Sequence, residues 1–262
     1  MYHHFRISIS VSLVALSAIA ALAQTPDGQQ TSNEKDSEAG RTASLRTFVP
    51  DILEDQRRTF ATFPSELVHG KHLLPVIAVC GLTAGLIAAD QYDARFFRNN
   101  TATVRFNSAF SSTNTDLGII LAPAAFYSAG LFTKNEYVKE TGLLSAEAAI
   151  DGEIADVAMK SISNRVRPRD ISPSGNYSDS FFEGPHQLDG SFPSGHTVGA
   201  FAVATVVARR YGHTHRWVPF VAYALATSVG FSRVTESAHF PSDVFFGAAV
   251  GYAIARFEVL RH

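Results

Sequence analysis

Hydrophobic positions along the chain gather into runs with helical spacing, and no stretch alternates long enough to define a strand. The runs predict helices over 73–89, 117–132, 137 to about 164, 196–211, 217 to about 231, and about 241 to 260. The 137–164 helix is amphipathic and carries Glu147, Asp151, Glu153 and Asp156. Arg167-Pro168 stops it, because the residue before a proline avoids the helical region. Gly212 closes the 196–211 helix, and the stretch 169–192, full of Pro, Gly, Ser, Asn and Asp, is irregular. The expected fold class is all-α, a compact helical bundle.

The pattern leaves the surroundings of that bundle open. The run 73–89 has 17 residues, the lower limit for crossing a hydrocarbon core. The other runs are shorter or contain Pro, Ser and Thr. They fit buried helices of a soluble bundle at least as well as lipid-facing ones, and a membrane surface or membrane embedding stays the alternative. Cys80, the chain's one cysteine, excludes an intramolecular disulfide. Its place in an apolar run reads as buried packing.

The N-terminus has its own pattern. His3, His4 and Arg6 precede an apolar stretch, 7–23, that ends in Ala21-Leu22-Ala23. A basic start, a short apolar middle and a small-x-small exit describe a secretory signal peptide over 1–23, cleaved before Gln24. An uncleaved anchor is the competing reading. Residues 24–46 are polar and too poor in apolar groups to offset their ordering entropy, so a disordered linker is expected there. The domain is expected over 47–262, in an exported protein, periplasmic or secreted. Its length suits one domain. A net charge of -2 argues against a nucleic-acid partner, since no basic excess exists to neutralise phosphates.

Three clusters concentrate anion-binding and acid–base groups. Lys160 and Arg167-Pro168 are spaced by two helical turns, which would put both cations on one face near a helix end. Pro193-Ser194-Gly195-His196 opens an apolar helix, offering a hydroxyl and amides at the positive end of its dipole. Ser232-Arg233, then His239 and Asp243 four residues apart, would set a carboxylate against an imidazole across one helical turn. Lys160, Arg167 and Arg233 can neutralise a phosphate, the arginines with a planar fork. One histidine can attack phosphorus while a second works as an acid. Asp243 would keep the far nitrogen of His239 protonated.

The order Lys-x6-Arg-Pro, Pro-Ser-Gly-His, Ser-Arg-x5-His-x3-Asp resembles the three-part signature of the type 2 phosphatidic acid phosphatases. That superfamily also includes bacterial class A acid phosphatases and vanadium-dependent haloperoxidases. Gly190-Ser191-Phe192 and Ser242-Asp243-Val244 are similar to the flanks in exported acid phosphatases. The resemblance implies a phosphatase acting on phosphomonoesters, lipid phosphates such as phosphatidate or soluble esters, with no metal and no cofactor. It implies His239 as the nucleophile forming a phosphohistidine, Asp243 as its orienting partner and His196 as the acid, then base. It implies Lys160, Arg167, Ser194, Gly195 and Arg233 as the phosphate cradle. The alternatives are a vanadium haloperoxidase and an exported phosphate- or lipid-binding protein with a dead site. Outside the signature, Arg165 and Arg169 read as solvated, and His186 and Asp189 as able to shape the entrance. Glu147 and Asp151 read as paired with an arginine or facing solvent.

Overall fold

A computed structural model describes residues 43–98, 102–184 and 189–261. The signal-like segment, most of the polar linker and His186 lie outside the described residues. Helix α1 (Phe48–Arg57) passes through a π turn (Arg58–Thr62) into the short α2 (Phe63–Val68). Then come α3 (Leu73–Arg98), α4 (Val104–Ala109), α5 (Ser112–Thr133) and α6 (Glu136–Ser163). After an irregular stretch follow α7 (Gly195–Tyr211), α8 (Val218–Thr235) and α9 (Pro241–Ala253), which ends in a π turn (Ile254–Val259). Among the described residues there is no strand, so the fold is all-α.

Local chemistry sets several boundaries. The Ser111 hydroxyl accepts the Asn114 N–H and opens α5, and the Asn135 side chain accepts the Val138 N–H and opens α6. Asn164, at φ 40°, closes α6 in the left-handed conformation. The core forms where α6, α7 and the last π turn meet, around Leu144, Ala148, Ala155, Ala202, Val206 and Val259, with Ala43 packed against them. Helices approach closely at two glycines. A Cβ on Gly251 would lie 2.2 Å from the Val198 carbonyl, and one on Gly142 would lie 2.5 Å from the Tyr127 nitrogen. Only a residue without a side chain lets α9 meet α7, and α6 meet α5, at that distance.

The expectation that the apolar runs become buried helices fails at α3 and α5. Both are long and apolar enough to cross a membrane, yet only 11% and 22% of their most apolar windows are buried. Leu74, Ile77 and Leu82 on α3, and Ile120 and Leu121 on α5, are exposed. Cys80 is exposed too, not a buried packing residue, because it lies on the outer side of α3. Apolar side chains turned outward along two such helices match a hydrocarbon surround, where their exposure carries no hydration penalty.

One charged contact ties α3 to the rest. Asp90 is fully buried on α3 and accepts from Nη2 of Arg165 at 2.8 Å and from the Ser242 hydroxyl. Arg165 also donates to Asp243 at 2.5 Å, Ser242 at 2.7 Å and Ser180 at 3.0 Å. Its guanidinium lies 4.3 Å from the Phe181 ring centre and 3.9 Å from that of Phe240. This corrects the expectation that Arg165 is solvated: it is 1% exposed, because both carboxylates that neutralise it are inside. Glu147 and Asp151 do not face solvent either. Both are buried, their ligand oxygens within 4.8 Å of each other and of Asp55 on α1, and Gln56 donates to Asp151 at 2.7 Å.

Replacing Arg165 with Met would leave two buried carboxylates without their cation. The expected loss is about 3–5 kcal/mol of stability, read as a lower Tm in detergent. Arg165→Lys should recover part of it, since it restores the charge without the fork. A Met variant as stable as the parent would refute the pairing.

Candidate active site

The first cluster is assembled differently from the helical-face expectation. Lys160 lies in the last turn of α6, but the helix ends at Ser163, so Arg167 cannot share its face. Arg167 is extended, at ψ 147°, ahead of a 3-10 turn (Pro168–Asp170), and it reaches the site from a loop. Lys160 Nζ pairs with Asp156 at 2.7 Å. The start of α7 touches this pair: a Cβ on Gly195 would sit 2.6 Å from Asp156 Oδ2 and 3.2 Å from Lys160 Nζ. Glycine there lets the helix start close on the cation. Burial pushes the Asp156 carboxyl up to about 6, against the pull of Lys160.

The geometry assigns the tautomer of His239. Nη1 of Arg167 is 3.1 Å from His239 Nε2, and a guanidinium can only donate. Nε2 therefore accepts, the proton sits on Nδ1, and Nδ1–H donates to the Ser191 carbonyl at 2.7 Å. Asp243 stands 3.7 Å from Nδ1, so the dyad is not the direct contact across a helical turn that the spacing suggested. The reason is that α9 begins only after Phe240, which leaves His239 in the preceding loop. Asp243 instead accepts the Phe240 N–H at 2.8 Å and the Ser191 hydroxyl at 2.6 Å. It thereby holds both the loop that carries His239 and the residue that orients its ring. Burial would raise the Asp243 carboxyl, but the Arg165 charge, the neighbouring His239 and the Ser191 hydroxyl together outweigh it and hold the carboxyl down. Burial lowers His239 to about 4. The nearby Asp243 raises it in part, and Arg167 and Lys160 lower it further.

The second and third clusters meet through backbone and side chains. Ser194 N–H donates to the Asp243 carbonyl at 3.1 Å, and its hydroxyl accepts from Thr197 at 2.9 Å. His196, in the first turn of α7, has Nε2 3.2 Å from Asp116 of α5. Burial brings its pKa down to about 3, helped by the charges of Arg233, His239, Lys160 and Arg167. Arg233 is buried near the end of α8 and donates to Ser112 at 2.7 Å, to Ser232 and to the Phe110 carbonyl. Arg169 is solvated as expected, while Asp189 pairs with Arg167 at 2.7 Å. A cavity of about 480 Å³ opens beside these groups, with Asp116, Asp156, Lys160, Gly195 and His196 in its wall.

Several residues of this site escaped the sequence reading. Asp90, Arg165 and Ser191 act through contacts across the fold. Asp156 gave a local signal, four residues before Lys160 on one helix, and Asp116 gave none beyond opening an apolar run. The arrangement can bind a tetrahedral anion, present an unprotonated imidazole nitrogen to it and exchange a proton at a second imidazole.

Residues 142–261 match the family model described as the PAP2 superfamily. Among similar proteins, a lipid A 1-phosphatase of Porphyromonas gingivalis is 44% identical over 64 residues, 24% of this chain and 14% of that one. A lipid A 1-phosphatase of Rhizobium etli is 38% identical over 41% of this chain and 44% of the relative. An undecaprenyl-diphosphatase of Bacillus subtilis is 38% identical over 29% and 39%. The chain thus spans less than half the length of each of these relatives. The crystal structure of a transmembrane PAP2 type phosphatidylglycerolphosphate phosphatase from Bacillus subtilis superposes with a TM-score of 0.48 at 20% identity, over 69% of this chain and 92% of that one. All three clusters lie within residues 142–261, the segment that matches the PAP2 superfamily model.

Proposed function

We propose that this protein is a membrane-associated phosphatase that hydrolyses lipid phosphate monoesters through a phosphohistidine on His239. The observation that carries the reading is the fixed tautomer of that residue. Its Nε2 lone pair lies 3.1 Å from Arg167, within the field of Lys160, while Nδ1–H is held by the Ser191 carbonyl. A nucleophile so placed needs no deprotonation before attack. The outward apolar faces of α3 and α5, and relatives named for lipid A and undecaprenyl diphosphate, support a lipid substrate and a membrane setting. The basic start and apolar stretch up to Ala23 support export, with the domain beginning near residue 47 on the outer side.

In the first step His239 Nε2 attacks phosphorus, the P–N bond forms and the bond to the leaving oxygen breaks. Lys160, Arg167, Arg233 and the α7 amides balance the charge on the phosphoryl oxygens, with Ser194 and Gly195 at the start of that helix. His196 gives its proton to the leaving alkoxide. Its pKa is depressed by burial first and by the surrounding cations second, and a bound phosphate offsets the cationic part and favours the protonated form needed for this task. In the second step His196 takes a proton from water, the hydroxide attacks phosphorus, and the P–N bond breaks to release phosphate.

His239→Ala should lower phosphate release from p-nitrophenyl phosphate and from detergent-dispersed phosphatidate by at least about 10³-fold, and His196→Ala by about 10²–10⁴-fold. Enzyme mixed with ³²P-labelled phosphatidate and quenched in alkaline SDS, where a P–N bond survives, should carry ³²P in the parent and none in His239→Ala. Turnover retained by His239→Ala would overturn the nucleophile. The pH profile follows from the same residue. Protonation blocks the lone pair, so kcat/KM should rise with pH through a midpoint near the depressed His239 pKa of about 4. Asp243 favours the protonated ring, so Asp243→Asn should move that midpoint to lower pH. A midpoint unmoved by Asp243→Asn would show that the limb belongs to another group.

A further inference from the structure

We infer that Arg98, the last residue of α3, is a positioning residue of the phosphate site: its guanidinium clamps the turn behind Arg167 and so aims that cation at the anion and at His239. The inference rests on the phosphatase reading above and adds to it a residue outside the three clusters. An arginine that ends a helix has an ordinary use, since its charge offsets the negative end of the helix dipole. Arg98 goes further. Nη1 donates to the Pro168 carbonyl at 3.2 Å, to the Ile171 carbonyl and to the Tyr177 hydroxyl at 2.8 Å. Nη2 donates to the Arg169 carbonyl at 3.4 Å. Three of these four acceptors are carbonyls of the one turn, 168–171, that directly follows Arg167.

That turn has little to hold it from within. It is a 3-10 turn of three residues, closed by the Asp170 N–H on the Arg167 carbonyl at 3.0 Å and the Ile171 N–H on the Pro168 carbonyl at 3.4 Å. Pro168 brings no N–H of its own. The carbonyls at a helix end lack donors inside the helix, and Arg98 supplies them. The Arg169 N–H in turn donates to the Ser237 carbonyl at 2.9 Å, two residues before His239. The turn is therefore held between the end of α3 and the loop of the candidate nucleophile. The fourth acceptor is fixed as well, because Tyr177 is buried in a cluster with Ala94 of α3, Phe240 and Ile171.

The consequence falls on Arg167. Its Nη1 reaches the Ala238 carbonyl at 3.3 Å and His239 Nε2 at 3.1 Å. Its remaining contacts go to Asp189, whose side chain is 75% exposed and so makes a weak tether. What fixes the guanidinium is therefore the backbone that carries it. A planar fork meets phosphate oxygens only in one orientation, and a misplacement of 1 Å at such a group can cost on the order of 10²-fold in rate. The Arg167 charge also helps to keep His239 unprotonated, and that effect weakens as the two side chains part. Arg98 thus acts on both the anion and the nucleophile through one intermediate residue.

The test uses the full chain in detergent, with orthovanadate binding as the probe of the anion site. Histidine NMR, with the His239 signal assigned as the one missing in His239→Gln, reads the nucleophile. Arg98→Ala should weaken vanadate binding and lower kcat/KM for p-nitrophenyl phosphate by about tenfold each, the loss of roughly one charge-assisted hydrogen bond. It should also move the His239 titration to higher pH, because a loosened Arg167 opposes the proton less. Arg98→Lys keeps the charge but not the fork, and should recover part of both. In an Arg167→Gln background, Arg98→Ala should change neither reading, since its effect runs through Arg167. If Arg98→Ala fails to fold, Tyr177→Phe, which removes one acceptor, should move both readings the same way by a smaller amount. A His239 titration unmoved in the folded variants, or moved equally with and without Arg167, would overturn the inference. If the parent hydrolyses no ester, the phosphatase reading falls, and the His239 titration still decides whether Arg98 positions Arg167.

Discussion

A guanidinium with almost no access to solvent is stable only where carboxylates and hydroxyls replace its water, and Arg165 is such a group. It is bonded on one side to Asp90 of α3 and on the other to Asp243 of α9, with Ser242 and Ser180 taking further donors and two phenylalanine rings covering its faces. The arrangement is demanding because none of the three charges can be removed alone without stranding the others. It joins the outer helix to the loop that carries the candidate nucleophile. Asp243, held by Arg165, in turn holds Ser191, and Ser191 holds the His239 ring. The alignment of a single imidazole nitrogen therefore depends on a contact made by a helix whose other faces are apolar and exposed.

The same economy recurs at Arg233. Its donors are spent on Ser232, on Ser112 at the start of α5 and on the Phe110 carbonyl just before it. Among the described residues, the two helices long and apolar enough to cross a membrane are thus each fastened to the site by a buried arginine, α3 through Arg165 and α5 through Arg233. Between these fastenings the site combines strong positive charge with imidazoles kept neutral by burial. That combination suits attack on a phosphate, since the cations draw the anion in while the nucleophile keeps its lone pair.

Much of this was legible in the residues, at the level that local spacing can reach. Helical runs and the lack of alternation are set by neighbours three and four apart, so the all-α class followed directly. The three clusters were legible because their residue types and spacings are themselves the chemistry of anion binding. Local spacing misled where a helix boundary moved. Two helical turns between Lys160 and Arg167 counted for nothing once Asn164 closed α6, and one turn between His239 and Asp243 dissolved because α9 starts at Pro241. Cys80 misled for a related reason: an apolar run states that a helix avoids water, and does not state whether protein or lipid replaces it.

The sequence by itself determined the helical architecture, the candidate anion-binding residues and the two histidines, because each is written in local periodicity or in short motifs. Tertiary structure alone decided the protonation pattern of His239 and the burial of Arg165. The partners that settle these lie far apart along the chain: Asp90 is 75 residues from Arg165, Asp243 is 78, and Ser191 is 48 from His239. Burial and pairing at such separations are properties of packing, which local pattern does not encode.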